Sequence, residues 1–215
     1  MTMTSSPPVI PIQQIDAQAK ARVHAILYNG GLIAYPTDTI YGLGVDIRRP
    51  EAVQRSIDLK GRASGKPISL MYPNLNLLLT DFNHLNGFQI QMVKCLLPGR
   101  ITILLPVEPE KFRNPLFISG GYTGVRVIDF PATADLWTDY PAPIATTSAN
   151  PAGLPPARSV AEITRYFPAG LDLLLDAGPL DAVPSTIIRL YDCGFEIIRS
   201  GAEDLQSIQT KVHMP

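Results

Sequence analysis

Helical and extended patterns of apolar residues alternate along the chain. Ala17 to Tyr28 carries Ala, Val, Ile and Leu at helical spacing and stops at Asn29-Gly30-Gly31, a strong C-terminal signal. Leu32 to Tyr35 is a short apolar run bounded by Gly and Pro, which predicts a strand. The same reading predicts helices over Glu51–Lys60, Leu85–Leu97, Thr133–Trp137 and Ser159–Tyr166. In the last of these, Ser159 and Glu162 have the spacing of a capping box. Strands are predicted at Ile68–Met71, Ile101–Leu105, Gly124–Ile128, Ile144–Thr147, Leu171–Leu175, Ser185–Leu190 and Phe195–Arg199. Together they describe a mixed α/β domain with helices packed on an open sheet. The reading assigns 15–205 to one domain, with a flexible tail at 1–14 and a second tail at 206–215.

Composition narrows the functional classes. The 215 residues hold 18 Lys and Arg against 19 Asp and Glu, a formal charge of −1, which argues against a polybasic nucleic-acid binder. With 46% hydrophobic and 17% charged residues, the chain has enough apolar surface for a core. Proline occurs 21 times, close to twice the ordinary share of about 5%, which disfavours a long-helix bundle. Cys95 and Cys193 are isolated, and His24, His84 and His213 are scattered, so neither a zinc site nor a Cys/His nucleophilic pair has support. Met1 to Ile15 lacks the form of a signal peptide, and no run approaches 18 apolar residues. The expectation is a soluble, cytoplasmic protein without a membrane segment.

The balanced charge hides a local asymmetry. From Arg48 to Lys66 six bases face Glu51 and Asp58, a net of +4; from Asp172 to Asp204 seven acids face Arg189 and Arg199, a net of −5. The bases crowd around glycine and proline in Lys60-Gly-Arg-Ala-Ser-Gly-Lys-Pro67. That pattern reads either as a solvated helix face or as a loop that wraps an anion. It is not a P-loop, because one residue is missing between the glycines and Pro67 replaces the magnesium-binding hydroxyl. Gly42-Leu-Gly44 lacks the third glycine of a dinucleotide fingerprint, and no nucleophile elbow exists.

What remains is a set of hydroxyl, amide and cationic groups at strand ends. Tyr35-Pro-Thr-Asp-Thr-Ile-Tyr-Gly-Leu-Gly44 leaves a strand through Pro36 and offers Thr37, Asp38, Thr39 and Tyr41 in a turn. The same turn could equally be closed by Asp38 on its own backbone. Ile144-Ala-Thr-Thr-Ser-Ala-Asn-Pro-Ala-Gly153 places Thr146, Ser148 and Asn150 on alternate positions, hence on one face if extended. Three small polar side chains on one face suit a polar ligand, although Asn150 could also cap the turn before Pro151. Pro98-Gly-Arg-Ile-Thr102 reads foremost as a structural turn. Arg126 and Arg199 sit singly among apolar residues on strands, where arginine either pairs with a carboxylate or reaches a ligand.

Taken in order, Pro-Thr-Asp-Thr-Ile-Tyr-Gly-Leu-Gly, Lys-Gly-Arg, Pro-Gly-x-Ile-Thr, Gly-Val-Arg, Ser-Ala-Asn-Pro-x-Gly, Asp-Ala-Gly-Pro, Ser-Thr-Ile and Ile-Ile-Arg-x-Gly span Ile15 to Gly201. This series resembles the YrdC-type threonylcarbamoyl-adenylate synthases in their short, single-domain form. The resemblance implies a twisted open mixed sheet with flanking helices and a large concave cavity. It also implies synthesis of threonylcarbamoyl-AMP from L-threonine, bicarbonate and ATP with release of pyrophosphate. Magnesium would arrive with ATP, without a protein metal site. A threonylcarbamoyl transferase complex would then modify adenosine 37 of ANN-decoding tRNAs, with at most weak tRNA contact by this chain.

By motif, Lys60, Arg62, Ser148 and Asn150 correspond to the family's catalytic Lys-x-Arg and Ser-x-Asn tetrad. Lys60, Ser148 and Asn150 with Arg199 would bind ATP, and Thr37, Arg126, Thr146 and Ser185 would bind threonine, Arg126 through its carboxylate. Such a reaction needs positioning and charge neutralisation rather than a protein nucleophile. Three departures from the usual pattern, Arg62-Ala63, Arg126-Val-Ile and Arg199-Ser-Gly, bear on loop geometry. The alternative from another class is a non-catalytic RNA-binding module that uses the basic 48–66 cluster.

Overall fold

Glycine and proline cut the chain into extended segments of three to six residues, too short to persist alone. In the computed structural model, which describes residues 6–61, 67–108, 114–181 and 183–213, ten such segments join one sheet. They are β1 Val9–Pro11, β2 Ile33–Tyr35, β3 Gly42–Asp46, β4 Ser69–Met71, β5 Ile101–Pro106, β6 Tyr122–Arg126, β7 Ile144–Ser148, β8 Leu173–Asp176, β9 Thr186–Leu190 and β10 Phe195–Arg199. Their order across the sheet is β1-β8-β2-β3-β7-β4-β6-β5-β9-β10, with parallel and antiparallel neighbours mixed. The helices are α1 Ala17–Tyr28, α2 Pro50–Lys60, α3 Leu75–Asp81, α4 Gly87–Leu96, α5 Pro131–Thr138, α6 Val160–Tyr166 and α7 Leu205–His213.

Alternation along the strands divides the core in two. One face of the sheet, with Ala34, Leu43, Val45, Leu70, Ile103 and Val125, is covered by α2, α3, α4, α6 and α7 through Val53, Leu78, Val93, Ile163 and Ile208. The other carries Ile33, Tyr35, Met71, Ile144, Leu173 and Leu175 at one end, under Val23 and Leu27 of α1 and Leu136 and Trp137 of α5. Its remaining strands present polar residues on that side.

Three parts of the sequence reading change. Residues 9–11, expected in a flexible tail, form an edge strand parallel to β8, with Val9 opposite Leu174. Residues 206–213, expected as a second tail, belong to α7, whose Ile208 is fully buried. The domain boundaries placed at 15 and 205 therefore fall inside ordered structure. Residues 9–11 are too few to show a period. Leu205, Ile208 and Val212 do stand at helical spacing, in a segment too short to hold a helix alone, and both segments take their conformation from what they pack on.

The third change is β3, which was read as part of a turn. Gly42-Leu-Gly44 forms a strand because the Tyr35 ring lies across it. A Cβ on Gly44 would come within 2.7 Å of that ring and 2.9 Å of Ile144. The glycines are there for clearance. At α6, Ser159 caps the amide of Glu162 as expected, but the Glu162 carboxylate takes the amide of Arg158 instead of completing the box.

Candidate active site

The register of the central strands lines up the chemistry. Gly42 pairs with Ser148 and Gly44 with Thr146 across β3 and β7; Thr146 then pairs with Ser69 of β4. On β5, β9 and β10, Thr102 pairs with Ile187 and Ile187 with Arg199, while Met71 of β4 pairs with Arg126 of β6. Paired residues share a face, and of these Gly42, Ser69, Thr102, Arg126, Thr146, Ser148, Ile187 and Arg199 make the floor of a cavity of about 440 Å³. Thr37, Lys60, Arg126, Thr146, Ser148, Asn150, Ser185 and Arg199, each singled out in the sequence, all line it. Arg62, the remaining candidate, lies outside the described residues.

The corner at α2 is built around one ammonium. Gly61 turns the chain with a φ of 59° and ends the helix at Lys60, which is 7% exposed. Its Nζ donates to the carbonyls of Ser148 and Asn150, each at 2.7 Å, and to Ser148 Oγ and Asn150 Oδ1, each at 3.2 Å. Asn150 Nδ2 in turn donates to the carbonyls of Pro151 and Leu154 at 2.9 and 2.6 Å. The cation therefore shapes the Ser148–Asn150 turn while it places positive charge beside the cavity. Because Ser148 Oγ accepts from Lys60, its own proton is left to donate.

The opposite corner is built around Arg126. Its guanidinium donates to Asp38 Oδ1 at 2.6 Å, Thr39 Oγ1 at 3.0 Å and the Gly99 carbonyl at 3.4 Å. Asp38 does not close its own turn: its second oxygen accepts from the Asp129 amide at 3.1 Å. The turn is closed by Thr37, whose Oγ1 accepts from the amides of Thr39 and Ile40 and donates to the Ile40 carbonyl. The sequence pattern did not reveal Asp38 as the partner of Arg126, because 88 residues separate them. It also passed over Ser69 and Thr102. Thr102 Oγ1 lies 2.8 Å from Ser185 Oγ on the cavity wall, a role that the Pro-Gly-x-Ile-Thr motif alone signals.

Arg199 stands at the rim and donates to the Ser185 carbonyl at 2.6 Å. Burial, and then the charge of Arg126, hold its guanidinium below its usual pKa. Among the described lining residues Lys60, Arg126 and Arg199 are cationic and none is a carboxylate. Asp38 offsets Arg126 from behind the wall, and a polar recess lined by cations and neutral groups suits an anionic ligand.

Comparison with known proteins gives the family. The model of the Sua5/YciO/YrdC family, described as telomere recombination, matches residues 25–201. The chain belongs to that family. A Sua5/YciO/YrdC relative, the threonylcarbamoyl-AMP synthase of Cellvibrio japonicus, is 38% identical over 162 residues, which cover 74% of this chain and 79% of the relative. The synthase of Halorhodospira halophila is 37% identical over 153 residues, 70% of this chain and 78% of that one. Among solved structures, E. coli YciO superposes with a TM-score of 0.82 at 26% identity, covering 95% of this chain and 99% of its own. P. abyssi Sua5 complexed with L-threonine has the same fold, with a TM-score of 0.85 at 24% identity; the match covers 97% of this chain and 61% of that longer one.

Proposed function

We infer that the chain is a threonylcarbamoyl-AMP synthase, a nucleotidyltransferase. The observation that carries the reading is the convergence on one cavity of two cationic corners, one with Lys60, Ser148 and Asn150 and one with Arg126, Ser185 and Arg199. Family membership and the names of the curated relatives support it. The amine of L-threonine first takes up bicarbonate as a carbamate, with loss of water. A carbamate oxygen then attacks the α-phosphorus of ATP, the bond to the β-phosphate oxygen breaks, and pyrophosphate leaves. No protein nucleophile is needed; the cavity aligns the reactants and neutralises phosphate charge.

In this reading Lys60, Ser148, Asn150 and Arg199 face ATP, with Arg62 completing the tetrad, and Thr146, Ser185 and Arg126 face threonine. The Thr37 hydroxyl already has its partners within the turn, so Thr37 serves by setting that turn. A described lining of cations and neutral groups suits a nucleotide that brings its own magnesium. Transfer of the product by a threonylcarbamoyl transferase complex to adenosine 37 of ANN-decoding tRNAs, with at most weak tRNA contact, belongs to the same proposal, as does a cytoplasmic location. No helix among the described residues is long and apolar enough to cross a membrane.

The RNA-binding alternative loses its main support in the basic cluster. Arg48 is paired with Asp46 and Arg55 with Asp172, and Lys60 is turned into the cavity wall. The test is a pyrophosphate assay. Release is expected only with ATP, L-threonine and bicarbonate together, and Lys60→Ala and Ser148→Ala are each expected to lower it at least about 100-fold, as loss of a preorganised charge-stabilising group does. No release by the wild-type chain, with no rise in melting temperature on adding ATP and threonine, overturns the reading.

A further inference from the structure

We propose that Tyr35 is a positioning residue that fixes the Thr146 hydroxyl as a hydrogen-bond acceptor toward an N–H or O–H group of the amino-acid substrate. The inference rests on the functional reading above and names a residue to which that reading gives no part.

The assignment follows from donor counting. A threonine hydroxyl has one proton and two acceptor positions. Thr146 Oγ1 lies 3.2 Å from the Leu43 carbonyl, which can only accept, so the proton is committed there. Tyr35 Oη lies 2.8 Å from the same oxygen and must therefore donate to it. One acceptor position remains on Thr146, and Thr146 lines the cavity. A carboxylate or phosphate oxygen finds no proton at this point. An ammonium, carbamate N–H or hydroxyl does find an acceptor.

Tyr35 is held for this task from every side. Its side chain is fully buried and meets the Trp137 ring edge-on at 5.1 Å between centroids. Across the ring, Gly42 and Gly44 leave the room it occupies: a Cβ on Gly42 would reach 3.3 Å from it and 3.2 Å from Thr146 Oγ1. Burial is also the largest influence on the phenol and pushes its pKa up to about 12, so the proton it donates persists across the working range. Ser148, two residues on, has the opposite polarity, because it accepts from Lys60 and keeps a proton to give. The strand thus presents an acceptor and then a donor along one face. A substrate with a donor at the amino-acid end and phosphate oxygens at the other can lie there in one direction only.

Tyr35→Phe keeps the ring and removes the donor, and calorimetric titration with L-threonine and with ATP reads the consequence. The expected result is threonine affinity weakened about 3- to 10-fold, the range for one hydrogen bond of ordinary strength, with ATP affinity unchanged. Thr146→Val should weaken threonine binding comparably, and the double variant should be no worse than Thr146→Val alone, since both act through one hydroxyl. L-2-aminobutyrate, which lacks the substrate hydroxyl, separates the two donor sources. A loss that persists with it assigns the amino group; a loss that vanishes assigns the hydroxyl.

Wild-type threonine affinity in Tyr35→Phe, equal losses for threonine and ATP, or additive effects of the two substitutions would overturn the inference alone. A wild-type chain that binds no threonine overturns the functional reading and the inference together.

Discussion

Individual side chains in this cavity act through their partners. Arg126 and Asp38 are the clearest pair, with side chains only 9% and 5% exposed. Removing one member of a buried pair leaves the other charge without compensation and typically costs about 3–5 kcal/mol. Asp38→Ala is therefore expected to lower the melting temperature by at least about 6 °C, at about 2–4 °C per kcal/mol for a chain of this size. Threonine affinity should fall as well, because the guanidinium is no longer held by Asp38. A differential scanning and binding comparison with wild type checks both. A chain that melts unchanged would show that Asp38 contributes little to the site.

Elements carry a second kind of constraint, visible at the end of β3. Asp46 is fully buried there and receives the Tyr140 hydroxyl at 2.6 Å and the Arg48 guanidinium at 2.6 Å. Burial alone would raise its pKa, but hydrogen bonds from Arg48 and Tyr140, with the Arg48 amide and charge, outweigh it and hold the carboxyl below its usual value. The folded state therefore binds this proton less readily than the unfolded chain. The stabilisation is fully present above the ordinary carboxylate range and is lost as pH falls through the folded pKa. Urea denaturation at pH 7 and near pH 3 should show stability falling with acid, and Asp46→Asn should make the fall smaller. An equal fall in both proteins would remove Asp46 as a contributor.

The same scale explains what the sequence showed of each element. Helices α1, α2 and α4 were legible because they are ten or more residues long and carry their own period and stops. Strand β3 was not, because Gly-Leu-Gly has no strand propensity of its own. It becomes a strand where β2 and β7 flank it and the Tyr35 ring needs a surface without side chains.

At the scale of the whole molecule, one sheet serves as wall and floor together. Helices cover one face along its length and only one end of the other, and the polar remainder is the cavity. The last helix closes the covered side, where Ile208 packs among residues of the larger core. Ile208→Ala is expected to cost about 2–5 kcal/mol, the usual range for truncating a buried isoleucine, measured by urea unfolding. Because α7 lies on the covered face, threonine affinity should hold. Loss of binding without loss of stability would place α7 in the site instead.

The sequence by itself determined the inventory: hydroxyls, amides and cations at strand ends. It also determined that Thr146 and Ser148 share a face, since a period of two is a local property of an extended chain; Asn150 lies past the end of β7 and reaches the cavity through the turn. Only the tertiary structure decided what each of those groups faces. Lys60 meets Ser148 across 88 residues, Arg126 meets Asp38 across 88, and Tyr35 meets Thr146 across 111. A hydroxyl is donor or acceptor according to its neighbours, and contacts of that separation are set by strand order and register, which local patterning does not encode.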